Sequence, residues 1–205
     1  MIPIILAGGG GHCRSCIDVI EAEGKYLIKG IVEPIKTNIL SMNGYDVIGC
    51  DDDLPELIKD CPNALVTIGQ IKSPETRIRI FKTLKTLNTF LPIVTSPFAY
   101  VSSHAKVDEG TILMHGVIIN SEARIGKNCI INSQSLIEHD VVIESHCHIS
   151  TGVKINGSTI VREGSFIGSG AILREGITIG KGSVIGAGKV ILQDVPDGSI
   201  LRSAS

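Results

Sequence analysis

Ile125-Gly126-Lys127-Asn128-Cys129-Ile130-Ile131-Asn132-Ser133-Gln134-Ser135-Leu136-Ile137-Glu138-His139-Asp140 carries the pattern by which the whole chain is read. Isoleucine recurs every sixth residue, at 125, 131 and 137. The same phase runs back through Ile119, Leu113 and Val107 to Val101. It runs forward through Ile143, Ile149, Ile155, Val161, Ile167, Leu173, Ile179 and Ile185 to Ile191. The fifth place of each six is mostly small, as at Ala105, Thr111, Ala123, Cys129, Ser135, Cys147, Thr159, Ser165, Ala171 and Ser183. A period of six fits neither a 3.6-residue helix nor a simple alternating strand of this length. It is the repeat of a left-handed parallel β-helix, in which three sixes close one triangular coil. Each aliphatic opener then points inward and stacks on its counterpart 18 residues away, about 4.8 Å along the axis. Cys129 and Cys147, 18 apart, stack in the same way.

Upstream the period changes. Residues 2–7 read as a buried strand, followed by Gly8-Gly9-Gly10-Gly11-His12 and a short helix from Cys13 to Glu23, closed by Gly24. Leu27–Val32 is a second strand ending at Glu33-Pro34, and Asp46–Gly49 a third. Asp51-Asp52-Asp53 precedes a short helix at Leu54–Ile58. Ala64–Ile68 is a strand ending at Gly69. Ser73 caps a helix reaching about Leu87, with Pro74 at its first position. Leu91–Val94 is a last strand. Strands alternating with helices make a parallel sheet. The expected plan is α/β followed by β: a small Rossmann-like domain over 1–92 and the β-helix over 93–205.

Composition narrows the function. Among 205 residues the formal charge is −2, aromatic residues make up 3% and tryptophan is absent. No basic block or aromatic platform suggests nucleic acid. No 18-residue apolar run suggests a membrane span. Met1-Ile2-Pro3-Ile4 reads as a first strand and not as a signal peptide. The six cysteines, the Cys13-x-x-Cys16 pair included, read as reduced thiols, which places the protein in the cytoplasm. No metal site is expected.

Two clusters carry candidate chemistry. A glycine run between a strand and a helix lets backbone N–H groups approach a pyrophosphate at the positive end of the helix. The dinucleotide fingerprint is incomplete, since Cys13 stands where its third glycine belongs, and the half-length domain holds one mononucleotide unit. A nucleotide-sugar diphosphate therefore fits better than a dinucleotide. Gly8, Gly10, Gly11 and His12, with the strand ends Glu33 and Gly69, are the candidate substrate-binding residues. The second cluster is Asn132, Glu138-His139-Asp140, His146 and His148. Gly157 falls one coil above His139, where its lack of a side chain leaves room for a substrate and bares an N–H. Asp140 or Glu138 orients the imidazole for general-base work.

Ile137-Glu138-His139-Asp140, the glycine run ending in His12, and Asp194-Val195-Pro196-Asp197-Gly198-Ser199 resemble the hexapeptide-repeat sugar acetyltransferases. Within these, the chain is similar to the bacillosamine-pathway and perosamine N-acetyltransferases and the sialic acid O-acetyltransferases. The resemblance implies His139 as general base oriented by Asp140, and Asn132 in the site. It implies His148 and Gly157 at the acetyl-CoA thioester, and His12 on the nucleotide sugar. It also implies acetyl-CoA as cosubstrate and a homotrimer. Two features depart from the pattern. Ser96-Pro97 stands where many relatives have His-Pro, and the tail Ile200–Ser205 lacks their Gly-x-Pro-Ala-Lys motif.

The leading expectation is acetyl-CoA-dependent N-acetylation of a nucleotide-linked amino sugar. O-acetylation of a sialic acid needs the same base and stays open. A γ-class carbonic anhydrase-like zinc enzyme is a third reading, from a different class. It needs three converging histidines, and the spacing of His139, His146 and His148 does not provide them. A scaffold without enzymatic activity is a fourth.

Overall fold

The computed structural model describes residues 1–34, 40–71 and 73–202. The last residues of the tail, Ser203–Ser205, lie outside them. The chain opens with β1 (Ile2–Ala7), α1 (Gly11–Glu23), β2 (Tyr26–Glu33), the hairpin β3 (Ser41–Met42) and β4 (Tyr45–Cys50), α2 (Leu54–Asp60), β5 (Ala64–Val66) and α3 (Glu75–Thr86). The sheet order is β3-β4-β2-β1-β5, parallel except for the hairpin. Glycine residues sit where the backbone demands them. Gly24 closes α1 at φ 69°, its N–H on Ile20 O. Gly30, at φ 159°, takes up a register shift between β1 and β2, and a side chain there would run into Ile48. One face of the sheet packs Ile5, Val32 and Val66 against Leu54, Ile80 and Leu84 of α2 and α3. The other packs Ile4 and Leu6 against Ile17 and Ile20 of α1.

Several boundaries differ from expectation. α1 begins inside the glycine run, at Gly11 rather than Cys13. α3 begins at Glu75 with Pro74 as its N-cap, while Ser73 Oγ still accepts Glu75 N–H at 3.1 Å. The expected Leu91–Val94 strand does not form as one element. Phe90 bridges Asn63 at the end of the α/β sheet, and Val94–Thr95 is already the first rung of the coil.

From there the chain climbs a left-handed triangular prism. Face A holds Tyr100–Val101, Ile118–Ile119, Leu136–Ile137, Lys154–Ile155, Ile172–Leu173 and Val190–Ile191. Face B runs from Lys106–Val107 to Thr178–Ile179, and face C from Val94–Thr95 to Ile200–Leu201. All rungs are parallel and, up to Ile191, offset by 18 residues, as in Ile119↔Ile137 and Ile137↔Ile155. The openers from Leu113 to Ile185 are at most 2% exposed.

The fifth-place residues do more than pack. Thr111, Ser135, Thr159 and Ser165 donate their hydroxyls to the carbonyl 15 residues on, at 2.7–2.9 Å. Cys129 and Cys147 make the corresponding thiol contacts to Glu144 O and Arg162 O. The second residue of many corners is left-handed, whether glycine (Gly164, φ 72°) or not (Asp140, φ 60°).

Face C does not meet solvent along its middle. Its outward residues Ile112 and Ile130 are buried in one continuous core with α1, and α1 packs on the Val94–Thr95 rung. The α/β domain therefore sits on face C. The vertex between faces A and B lies on the opposite side of the prism.

Tight coil stacking makes a stability prediction. A Cβ on Gly126 would stand 2.6 Å from Ser145 N and 2.8 Å from Glu144 C in the next coil. Gly126→Ala should cost roughly 1–3 kcal/mol, as overpacking does, and lower the melting temperature by several degrees. Gly11→Ala, whose Cβ meets nothing within 4 Å, should leave it unchanged or slightly raised.

Candidate functional site

His139 and Asp140 form the corner between faces A and B, after Leu136–Ile137 and before Val142–Ile143. His139 Nδ1 lies 2.8 Å from Asp140 Oδ2, and both side chains are more than half exposed. A carboxylate only accepts, so the neutral imidazole carries its proton on Nδ1 and leaves Nε2 bare. The ring leans over Gly157. A Cβ on that glycine would be 2.7 Å from His139 Cε1 and 2.8 Å from Nε2. The space above His139 is thus filled by the imidazole itself rather than left open. Beside it Glu138 accepts a 3.0 Å hydrogen bond from Asn120 Nδ2, one coil below.

The glycine cluster forms a separate cleft. Gly8, Gly9, Gly10, Gly11, His12, Glu33, Pro34, Ile68, Gly69 and Thr76 line a space of about 310 Å³, so six of the residues singled out in the sequence come together. The glycines divide by cause. Gly8 is at φ 114° against Ile68, and a side chain on Gly9 would collide with the Glu33 carboxylate. Gly8 is required by its left-handed backbone, and Gly9 leaves room for the Glu33 side chain. Gly10 and Gly11 have nothing within 4 Å of a built Cβ. Packing does not explain them, and they open backbone N–H groups toward the cleft at the start of α1.

Asn132 and His148 join neither arrangement. Asn132 lies at the end of a face C rung, before the corner to face A, where its Oδ1 accepts Ser133 N–H at 2.8 Å. His148 is on face C beneath the α/β domain, 7% exposed, and donates Nδ1–H to Gln70 O at 2.7 Å. Its ring stands on Phe166, with the His12 ring 6.1 Å away. The sequence reading took His148 as a neighbour of His139. In the protomer a face of the prism separates them. His146, from the same cluster, is also a junction residue: Nδ1 meets Asn128 Nδ2 at 2.9 Å and the ring stands edge-on to Phe81.

Sequence reasoning missed Arg77 and Gln70. Arg77 is 1% exposed and bonds Gln70 Oε1, Asn128 O and Asn128 Oδ1, while Gln70 Nε2 donates to Gly164 O. The available signal was a cation at 77 in the apolar stripe of Ile80, Phe81 and Leu84. Ser96, the departure from His-Pro, joins a second tie. Its Oγ is 2.6 Å from His115 Nδ1, and His115 Nε2 is 2.9 Å from Asp18 of α1. This Ser-His-Asp order invites a nucleophile reading, but Ser96 is 1% exposed and its Oγ also accepts Phe98 N–H. It links α1 to the coil. All six cysteines are buried free thiols. Among the described residues no group of three or more His, Cys, Asp or Glu is placed to hold a metal, and no helix is long and apolar enough to cross a membrane.

Comparison with known proteins agrees with both parts. The PglD N-terminal domain family matches residues 3–84, and the bacterial transferase hexapeptide (six repeats) family matches 122–157 and 158–193. The chain is a hexapeptide-repeat acyltransferase. Its structure is similar to a mutant of perosamine N-acetyltransferase from Caulobacter crescentus in complex with CoA and GDP-perosamine. The TM-score is 0.90 and the identity 29%, over 97% of this chain and 92% of that one. It is also similar to the acetyltransferase domain of PglB from Neisseria gonorrhoeae in complex with acetyl coenzyme A. There the TM-score is 0.86 and the identity 29%, over 97% and 94%. WeeI from Acinetobacter baumannii shares the fold at TM-score 0.84 and 20% identity, over 99% and 97%. No curated protein sequence matches.

The junction of this acyltransferase gives its stability a pH dependence. Burial is the main cause that lowers His12 to about 3 and His146 and His148 to about 4, with Arg77 adding to each. These pKa values lie below that of an unfolded histidine, about 6.5, so the unfolded chain takes up protons first as pH falls. The contribution is full above about pH 6.5 and is lost on the way down to about 4. The melting temperature should be flat from pH 8 to 7 and fall between 6.5 and 4. His146→Gln should reduce the slope of stability against pH in that window by about a third, one proton of three.

Proposed function

We propose that the protein transfers an acetyl group from acetyl-CoA to the amine of a nucleotide-linked amino sugar, with His139 as general base. The observation that carries this is the His139–Asp140 pair set over Gly157. A base must hold its proton acceptor toward the reaction and its other nitrogen fixed, and Asp140 does the fixing. His139 Nε2 takes the proton from the amine as nitrogen attacks the thioester carbonyl. It returns that proton to the departing thiolate as the C–S bond breaks, leaving an amide and free CoA. Gly157 N–H, with no side chain to shield it, donates to the tetrahedral oxygen. His148 shares its Nδ1–H with Gln70 and is neutral, so its Nε2 accepts rather than donates there. Residues 1–92 bind the sugar nucleotide and 93–205 carry the transfer, in the cytoplasm, for surface glycan or glycoprotein synthesis.

Geometry favours a site shared between subunits. The glycine cleft rides on the face C side of the prism and His139 crowns the opposite vertex. One protomer therefore offers its sugar cleft and its base in different directions. Face A supplies a surface for a second copy: of its outward column Tyr100, Ile118, Leu136, Lys154, Ile172 and Val190 all but Lys154 are apolar, and Tyr100, Ile118 and Val190 are 59%, 42% and 57% exposed. An exposed apolar strip of this length is costly in a monomer. A closed homotrimer of parallel prisms covers it on every copy and brings His139 of one subunit to the cleft of the next. The complexes of the similar proteins with CoA, GDP-perosamine and acetyl coenzyme A support the choice of substrates.

The test is thiol release from acetyl-CoA with UDP-, GDP- and dTDP-linked amino sugars, set against a free sialic acid. Turnover with a nucleotide amino sugar is expected. Turnover with sialic acid alone would give the role to O-acetylation. His139→Ala should fold normally, lower kcat by roughly 10²-fold or more and remove the acid limb of the pH–rate profile. Gly10→Val should weaken the sugar nucleotide and leave acetyl-CoA binding in place. Equal loss of both in a folded protein would make the loop structural. Light scattering at micromolar concentration should give three times the monomer mass, and a monomer would contradict the shared site.

A further inference from the structure

Arg77 is a buried cation without an anion. It is 1% exposed, and each of its hydrogen bonds ends on a neutral oxygen, of Gln70 or Asn128. Its Nε–H, like His12 Nε2 and His148 Nε2 close by, has no partner. Taking a charge out of water without a counter-ion is expensive, and a charge buried beside a cleft is a candidate for a functional role.

The nearest use is the glycine cleft. His12 lines that cleft, and so does Thr76, the residue before Arg77 on α3. Among the described residues the lining of this cleft includes the Glu33 carboxylate and no lysine or arginine. A diphosphate entering it meets backbone N–H groups, the start of α1 and one negative charge. Arg77 is felt across this junction: it helps to hold His12 and His148 in their neutral forms. Low-dielectric surroundings carry such a field farther than water does.

We infer that Arg77, without touching the ligand, supplies the positive charge by which the glycine cleft selects a nucleoside diphosphate over an uncharged nucleoside. This rests on the sugar-nucleotide reading of the cleft. A charge acting at a distance rewards each added phosphate, whereas a brace that only keeps the loop in shape affects every ligand alike.

The experiment is calorimetric titration of wild type, Arg77→Met and Arg77→Gln with guanosine, GMP and GDP, and with uridine, UMP and UDP. In Arg77→Met the diphosphate should lose about tenfold or more, the monophosphate less, and the nucleoside under about twofold. Arg77→Gln keeps hydrogen-bonding capacity and removes the charge, and should lower the diphosphate-to-nucleoside affinity ratio as Arg77→Met does. Equal loss across a series would overturn the inference and leave the cleft reading standing. If Arg77→Met does not fold, Arg77→Gln decides alone, and a ratio within about threefold of wild type overturns the inference. Wild type that binds none of the six would overturn the cleft reading and the inference together.

Discussion

Everything in this protein hangs on one constraint, the 18-residue register by which each inward aliphatic residue lands on the one below it. Burying an isoleucine is worth roughly 2–3 kcal/mol, and a slip of one residue would turn the whole inner column outward. The corners inherit this rigidity. Because Ile137 is locked between Ile119 and Ile155, His139 two residues later cannot drift. Gly157, 18 residues on, is held above it. The coil is a ruler, and the His139–Asp140 pair is a mark on it.

The α/β domain adds the second half of the problem, the placing of the glycine cleft relative to that ruler. It does so through a polar junction of Gln70, Arg77, Asn128, His146 and His148 next to the apolar contact of α1. Polar junctions are directional, so they fix angle as well as distance, at the cost of leaving imidazoles desolvated and neutral. The same cost explains why the junction weakens in acid. The Asp18–His115–Ser96 tie pins the other end of α1. This tie and the apolar contact with face C hold the helix whose N-terminus lines the cleft.

The coil was legible from residues alone, because an aliphatic residue every sixth position has no other physical reading over this length. The glycine cleft was legible too: Gly8, Gly10, Gly11, His12, Glu33 and Gly69 meet as a strand–loop–helix unit should. The break after Phe90, with only Val94 of the expected Leu91–Val94 strand entering the coil, was not, since a short apolar run says nothing about which neighbour it will pair with. The faces of His146 and His148 were also out of reach. Counting by six gives their coil positions, but not that an α/β domain would cover face C and bury them. The fifth-place residues were read as small packing and turned out to be donors to carbonyls as well. Size and donor capacity coincide in serine, threonine and cysteine.

The central claim is a site built from the glycine cleft of one subunit and His139 of another. The direct measurement is acetyl transfer by trimers co-assembled from two inactive variants, Gly10→Val and His139→Ala, mixed in equal amounts after unfolding and refolding together. Random assembly leaves about a quarter of the interfaces with an intact cleft facing an intact histidine. Recovery of about a quarter of wild-type turnover is the predicted result. Activity no higher than that of either variant alone would place cleft and base within one protomer and contradict the account.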